Sequence, residues 1–160
     1  MKVKNIYYND FVNYGGHCSM TVAMPYCSFK CGKGLCQNSS LAKSPTIEIN
    51  CEELINKFLS SEIMDSVVFQ GLEPFDSWED IQCFIMNFRY HSPAPIVIYT
   101  GYNLEEISRD KIDWLKIYAN DGPIIIKFGR YLPNQELHYD PILKVNLASN
   151  NQYDIEVKDL

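Results

Sequence analysis

Three cysteines, Cys27, Cys31 and Cys36, stand within ten residues of one another. Clustered thiols in a reducing compartment more often bind metal or perform catalysis than form disulfides. Iron–sulfur clusters are usually held by four thiolates, so three nearby thiolates leave one iron without a protein ligand close by. An open coordination position distinguishes a catalytic metal site from a closed structural one. Gly32 and Gly34 give the backbone freedom to wrap around a cluster. The segment therefore favours a [4Fe–4S] cluster with one open position.

Spacing alone leaves other interpretations of these thiols open. One is a zinc site completed by Cys18 or His17, and another is a set of unconnected thiols in a loop. Cys18 is also a candidate for a fourth cluster ligand, since it lies close in sequence. We expect Cys51, at a helix start, to be non-catalytic. Cys83 lies between apolar residues of a helical pattern, so we expect it to be a small buried residue.

Apolar runs alternate with helical patterns along the chain, which predicts an α/β fold with a largely parallel sheet. The predicted strands are Ser19–Pro25, Val67–Gln70, Pro95–Thr100, Ile124–Phe128 and Tyr153–Val157. The predicted helices are 51–59 after an Asn50 cap, one capped by Asp76, a short one capped by Asn103 with Glu106, and 110–119. The tail over 131–150 has the composition of a loop.

The segments that could bind a ligand follow the predicted strands at their carboxyl ends. Ligands bind at that edge of α/β sheets. The segments placed there are Cys27–Cys36, Gly71–Pro74, Thr100–Tyr102 and Gly129–Arg130. A complete (β/α)8 barrel takes about 250 residues. A chain of 160 residues, which suits one domain over 1–160, is therefore expected to form a partial (β/α) barrel.

Composition excludes several classes of function. The formal net charge is −6, and only three arginines occur, Arg89, Arg109 and Arg130. The basic stripe of a nucleic-acid binder is missing, so we expect no polynucleotide partner. No apolar run approaches the ~20 residues of a membrane span, and the N-terminal sequence has no apolar core of a signal peptide. We expect a cytoplasmic protein with no membrane partner.

Five segments carry a resemblance to a known family: Asp10–Gly15, the Cys36-Gln37-Asn38 triplet, Gly71–Pro74, Tyr99–Tyr102 and Leu147–Gln152. With the cysteines, they resemble the radical S-adenosylmethionine superfamily and, more narrowly, the activating protein of anaerobic (class III) ribonucleotide reductase. The resemblance covers nearly the whole chain. Two departures stand out: the last two cysteines are separated by two extra residues, and Leu72 replaces the second glycine of the family's G-G-E-P turn. A turn that needs positive φ at Leu72 would be strained.

The resemblance implies a set of roles. Three cysteines would ligate three irons, and the fourth iron would take S-adenosylmethionine, whose reductive cleavage gives methionine and a 5′-deoxyadenosyl radical. Leu35 would pack on adenine, and Gly71, Leu72 and Glu73 would line the methionine end. Thr100 would reach the ribose or the methionine carboxylate. Further candidates for ordering the loop or contacting cofactor or partner are Asn13, Lys127, Arg130, Asn151 and Gln152.

By the same resemblance, the protein would install a glycyl radical on anaerobic ribonucleotide reductase, with flavodoxin or ferredoxin as its reductant. Two alternatives stay open. The radical chemistry can serve a different protein, peptide or small-molecule substrate. The thiols can also build a zinc- or cluster-stapled interaction module without turnover.

Overall fold

Four mainly apolar segments form the parallel centre of one sheet. The computed structural model of the chain describes residues 1–160, with the side chain of Lys33 excepted. The strands are, in chain order, β1 (Lys2–Val3), β2 (Asn5–Asp10), β3 (Ser19–Met24), β4 (Ile47–Glu48), β5 (Ser66–Gly71), β6 (Ile96–Tyr99), β7 (Ile124–Phe128), β8 (His138–Asp140), β9 (Val145–Leu147) and β10 (Tyr153–Glu156). The helices are α1 (Ser39–Lys43), α2 (Cys51–Leu59), α3 (Trp78–Arg89) and α4 (Arg109–Ala119).

The main sheet has six strands in the order β10-β7-β6-β5-β3-β2. Its four central strands β3, β5, β6 and β7 run parallel. β2 pairs antiparallel with β3 at one edge, and β10 pairs antiparallel with β7 at the other.

The expected partial (β/α) barrel with a largely parallel sheet is therefore wrong. The sheet is a mixed one with an antiparallel strand at each edge, so the fold is a small α/β one. A parallel neighbour requires a crossover connection, usually through a helix. No helix intervenes between β2 and β3 or between β7 and β10, and these strands return to the sheet in the opposite direction.

The two faces of the sheet are covered differently, because side chains alternate along each strand. Phe69 and Ile98 belong to the larger core, with the buried side chains of α2, α3 and α4. Val68 and Val97 face the other way and pack in a smaller cluster with Leu143. Burial of each such side chain contributes about 1.5–3 kcal/mol. The helix-free face is where a cavity opens at the carboxyl ends of the strands.

Most predicted elements are confirmed to within a residue or two of their ends. The helix over 51–59 has the Asn50 side chain accepting from Glu52 N at 2.8 Å. The capping box of Asn103 and Glu106 is also present, on a 3₁₀ turn. The predicted cap of α3 is wrong: Ser77 precedes the helix, and the side chain of Asp76 bonds elsewhere.

Two further expectations are corrected. The segment 131–150, expected to be a loop, contains the antiparallel hairpin β8–β9. Cys83 is exposed rather than buried, since it lies on the outer side of α3 while Ile81, Phe84 and Ile85 face the core. Among the described residues, no helix is long and apolar enough to cross a membrane.

Candidate metal centre and cofactor cavity

A cavity of about 400 Å³ lies at the carboxyl ends of the parallel strands. It brings together the three cysteines and the five residues expected to bind the cofactor. These lining residues are Cys27, Cys31, Leu35, Cys36, Gly71, Leu72, Glu73 and Thr100. They come from three separate segments that meet only because parallel strands end at one edge of a sheet.

The cysteine loop leaves β3 and turns tightly. Phe29 and Gly32 both have positive φ, 53° and 87°, and Gly32 N donates to Phe29 O at 2.8 Å. Phe29 N donates to Cys27 Sγ at 3.1 Å. Burial raises the pKa of the Cys27 thiol, and this bond opposes the rise. The longer spacing before Cys36 holds a short 3₁₀ turn over Lys33–Leu35.

A hydroxyl network fastens the first part of the cysteine loop to two strand ends. Ser28 N donates to Asp76 Oδ2 at 2.6 Å, and the Ser28 hydroxyl lies 2.9 Å from that of Tyr102. The Tyr102 hydroxyl donates in turn to Asp76 Oδ1 at 2.5 Å. Asp76 is therefore an anchor for the cysteine loop.

An ion-pair network holds the next residue of the same loop. The Lys30 ammonium lies 3.5 Å from Glu106 Oε1 and 4.2 Å from the Tyr102 ring centroid. Arg130 donates to the same Glu106 oxygen. Arg130 is thus a paired cation, and its hydrogen bond to Glu106 raises the pKa of its guanidinium.

The turn after β5 is fixed by one glycine. Gly71 has a φ of 96°, and a Cβ there would meet Ala23 Cα at 3.0 Å. Leu72 has no positive φ, so the strain considered for Leu72 does not arise. Leu72 N donates to Met24 O at 3.3 Å and Glu73 N to Tyr26 O at 2.7 Å, which ties this turn to the chain entering the cysteine loop.

Glu73 is a buried carboxyl, only 3% exposed. Its Oε1 accepts from the Thr100 hydroxyl at 2.6 Å and from Phe75 N at 3.1 Å, and its Oε2 accepts from Gly101 N at 2.9 Å. Burial raises the pKa of Glu73, and these three bonds partly offset the rise. Because the Thr100 hydroxyl donates to Glu73, the role of Thr100 in the cavity is to orient that carboxyl.

The remaining candidate residues from the sequence hold the backbone around the cavity through hydrogen bonds. Asn151 Nδ2 donates to Arg130 O at 2.9 Å, and Gln152 Nε2 to Gly129 O at 3.1 Å. These two side chains therefore brace the end of β7. Asn13 receives the Tyr99 hydroxyl on its carbonyl at 2.7 Å.

Sequence reasoning missed part of the cavity wall. Gln70 and Tyr99 line it, and Lys127, already a candidate from the sequence, is buried in it beside them. The signal was available: each is a polar residue near the carboxyl end of an otherwise apolar strand, at the alternate positions that share one face.

Cys18 and His17 lie at the wrong end of β3 to join the three cysteines. β3 has six residues, which span about 20 Å, and it separates these two residues from Cys27. Cys18 is buried, and His17 Nδ1 lies 3.2 Å from Asp65. The geometry rules out both a zinc site completed by either residue and a fourth cluster ligand at Cys18.

The arrangement of the thiols fits a multi-iron group. Over the described part of the chain, no three His, Cys, Asp or Glu side chains form a group that could hold a single metal ion. Thiolates on one zinc, at about 2.3 Å each, must lie within about 4 Å of one another. Cluster thiolates bind different irons and stand further apart. The three cysteines line one cavity, and thiolates are the ligands that hold a [4Fe–4S] cluster.

Comparison with known families agrees with this chemistry. A family model described as a 4Fe-4S single cluster domain matches residues 13–152. Neither the curated proteins nor the solved structures provide a match. The matched range contains all three cysteines of the loop and every other residue that lines the cavity except Val12. Since the match covers most of the chain, this protein belongs to the family of 4Fe-4S single cluster domains.

Proposed function

We propose that this protein is a radical S-adenosylmethionine enzyme that activates a glycyl radical enzyme, the anaerobic ribonucleotide reductase. One observation carries the proposal: the three thiols, the buried Glu73 and Leu35 line a single cavity. A cluster with an open position and a sulfonium cofactor both need space beside the same thiols. Domains of this family occur in activating proteins of the radical S-adenosylmethionine type.

Cys27, Cys31 and Cys36 hold the cluster in this proposal, and the bound cluster supplies the electron that cleaves S-adenosylmethionine to methionine and a 5′-deoxyadenosyl radical. The chain's own residues bind and orient the cofactor. Glu73, at the methionine end, accepts from its ammonium group, with its carboxylate held by Thr100. The apolar side chain of Leu35, which is 48% exposed, packs on the adenine.

The mouth of the cavity suits a macromolecular partner. Val12 lines the cavity and is 77% exposed, and its neighbour Phe11 is 64% exposed. Large apolar side chains exposed together often mark interaction sites. We propose that the glycine-bearing segment of the reductase enters here, and that a flavodoxin or ferredoxin delivers the electron.

A mixed anaerobic assay tests the proposal. Reconstituted, reduced protein is incubated with S-adenosylmethionine and an anaerobic ribonucleotide reductase, and both 5′-deoxyadenosine and the glycyl radical signal are measured. We expect both to form. Failure to form 5′-deoxyadenosine would refute the radical chemistry, whereas 5′-deoxyadenosine without a glycyl radical would refute only the partner.

A different protein, peptide or small-molecule substrate is the second candidate. The 3₁₀ turn before Cys36 favours it, because this turn adds chain at the cavity wall where a partner would bind. Formation of 5′-deoxyadenosine that depends on a small molecule, with no partner protein present, would establish it.

A further inference from the structure

Two cysteines that do not line the cavity lie side by side on neighbouring helices. Cys51 is the first residue of α2, and Cys83 lies on α3. The two helices pack against each other, and the rings of Phe58 and Phe88 meet edge-on with their centroids 5.0 Å apart. The thiols of Cys51 and Cys83 are hydrogen-bonded to each other, although the two residues are distant in sequence.

The two thiols differ in their access to solvent. Cys83 is exposed, and its sulfur accepts from Asn87 Nδ2 at 3.6 Å. Cys51 is half-buried and packs against the larger core. Burial and, after it, the neighbouring Cys83 raise the pKa of Cys51 to about 12. Cys83 is therefore the thiol that a reagent from solvent reaches first, and Cys51 lies behind it.

A structural role explains this pair of thiols poorly. A thiol is a weak hydrogen-bond donor, so the contact between the two sulfurs adds little to the packing of α2 on α3. Among the described side chains, no third His, Cys, Asp or Glu joins the two thiols to hold a metal ion. The role of an unpaired cysteine usually follows from its reactivity rather than from its packing, and adjacent thiols can form a covalent bond.

We propose that Cys51 and Cys83 form a reversible disulfide by exchange with a low-molecular-weight disulfide such as oxidised glutathione. The Cys83 thiolate attacks the reagent, which leaves a mixed disulfide on Cys83 and releases one small thiolate. The Cys51 sulfur then attacks Cys83 Sγ, and the second small thiolate leaves and takes up the proton of Cys51. The two protein thiols lose two electrons to the reagent, which is reduced to two thiols.

Anaerobic incubation of the reconstituted protein with excess oxidised glutathione tests this inference. The remaining free thiols are then blocked, and peptide mapping by mass spectrometry locates every disulfide. We expect a link between Cys51 and Cys83 that dithiothreitol removes. Cys51→Ser should stop at the mixed disulfide and keep glutathione on Cys83. Cys83→Ser should lose both the link and the uptake of glutathione at this site, because its exposed thiol is gone.

Cys18→Ala is the matched control. Cys18 is also a free cysteine that does not line the cavity, but it is buried, and its sulfur lies 3.9 Å from Asn9 Oδ1. This variant should form the link between Cys51 and Cys83 as the wild type does.

A wild type without this link after exposure to the reagent would overturn the inference, and that result needs no variant. A link from Cys51 or Cys83 to a different thiol would overturn it too, as would glutathione that stays on Cys83 in the wild type. None of these outcomes depends on S-adenosylmethionine, so the proposed function is tested separately.

Discussion

The hydroxyl of Thr100 donates to Glu73 Oε1 at 2.6 Å, which joins the ends of the neighbouring strands β5 and β6. Gly101 N holds the second carboxylate oxygen at 2.9 Å. The end of β6 thus sets the direction of a buried carboxyl that is delivered by the turn after β5. Thr100 is a positioning residue for the cavity.

Replacing Thr100 by valine should lower the free energy of unfolding by about 1–3 kcal/mol, because a buried carboxylate loses a hydrogen bond. It should also weaken the binding of S-adenosylmethionine, since the pKa of Glu73 rises further without this donor. Denaturant unfolding and equilibrium dialysis measure the two effects.

Ser66→Ala is the control for Thr100→Val. It removes the buried contact of 2.8 Å between the Ser66 and Ser19 hydroxyls at the far end of the strands. It should lower stability without affecting binding. If Thr100→Val did the same, Thr100 would have only a structural role.

Gly71→Ala should destabilise the protein by more than 1 kcal/mol. Its φ of 96° strains any other residue, and the new Cβ would meet Ala23 Cα at 3.0 Å. Gly34→Ala is the control, because nothing lies within 4 Å of the Cβ that it adds. Its free energy of unfolding should stay within about 0.5 kcal/mol of the wild-type value. Equal thermal midpoints for the two variants would contradict the assigned turn geometry.

Glu106 should contribute acid-dependent stability. The hydrogen bond from Arg130 holds the pKa of Glu106 at about 2, below its ordinary 4.5. A depressed carboxyl pKa gives stability that is present above about pH 4.5 and is lost as the pH falls towards 2. Glu106→Gln should therefore be less stable than the wild type at pH 7 and equal to it near pH 2.

Glu106→Gln should also make the reconstituted protein lose its iron faster, because Lys30 of the cysteine loop loses its ion-pair partner. The exposed neighbour Glu105 provides the control variant, Glu105→Gln. If Glu106→Gln lost iron as slowly as Glu105→Gln, Glu106 would not anchor the cysteine loop.

Asp154 should have the opposite effect to Glu106 on the pH dependence of stability. Burial and the adjacent carboxyl of Asp140 raise the pKa of Asp154 to about 7. Asp154 Oδ2 has no donor in reach within the described residues, so a bond between the two carboxyls requires a proton. A raised carboxyl pKa makes the folded state lose stability as the pH rises from about 4 to 7.

Asp154→Asn supplies permanent donors at this position. It should be more stable than the wild type at pH 8, by about 1 kcal/mol after allowance for solvent screening. The difference should shrink towards pH 4. Unfolding free energies across this pH range measure it, and a difference that grew at low pH would contradict the assignment.

The sequence predicted the central strands and the cavity well, because both depend on local patterns. Ile124–Phe128 is an uninterrupted apolar run, which is typical of a buried parallel strand, and the residues after each such strand meet at one edge. Of the two edge strands, β10 was predicted and β2 was not, because β2 carries exposed and half-buried residues in no regular order.

Tertiary bonds account for the other errors. Asp76 stands where a helix cap is expected, but Ser28 and Tyr102 compete for its carboxylate. Cys83 follows an apolar helical pattern yet falls just outside the buried stripe of α3. The burial of Lys127 follows from the hairpin β8–β9 and the tail that cover its face, and neither was evident from local sequence.

Iron bound per chain after anaerobic reconstitution tests the central claim most directly. The wild type should hold about four irons and cleave S-adenosylmethionine when reduced, as should Cys83→Ala, whose cysteine is exposed and does not line the cavity. Alanine at Cys27, Cys31 or Cys36 should at least halve the iron and abolish 5′-deoxyadenosine. A wild type without iron, or full iron and cleavage in Cys31→Ala, would contradict the account.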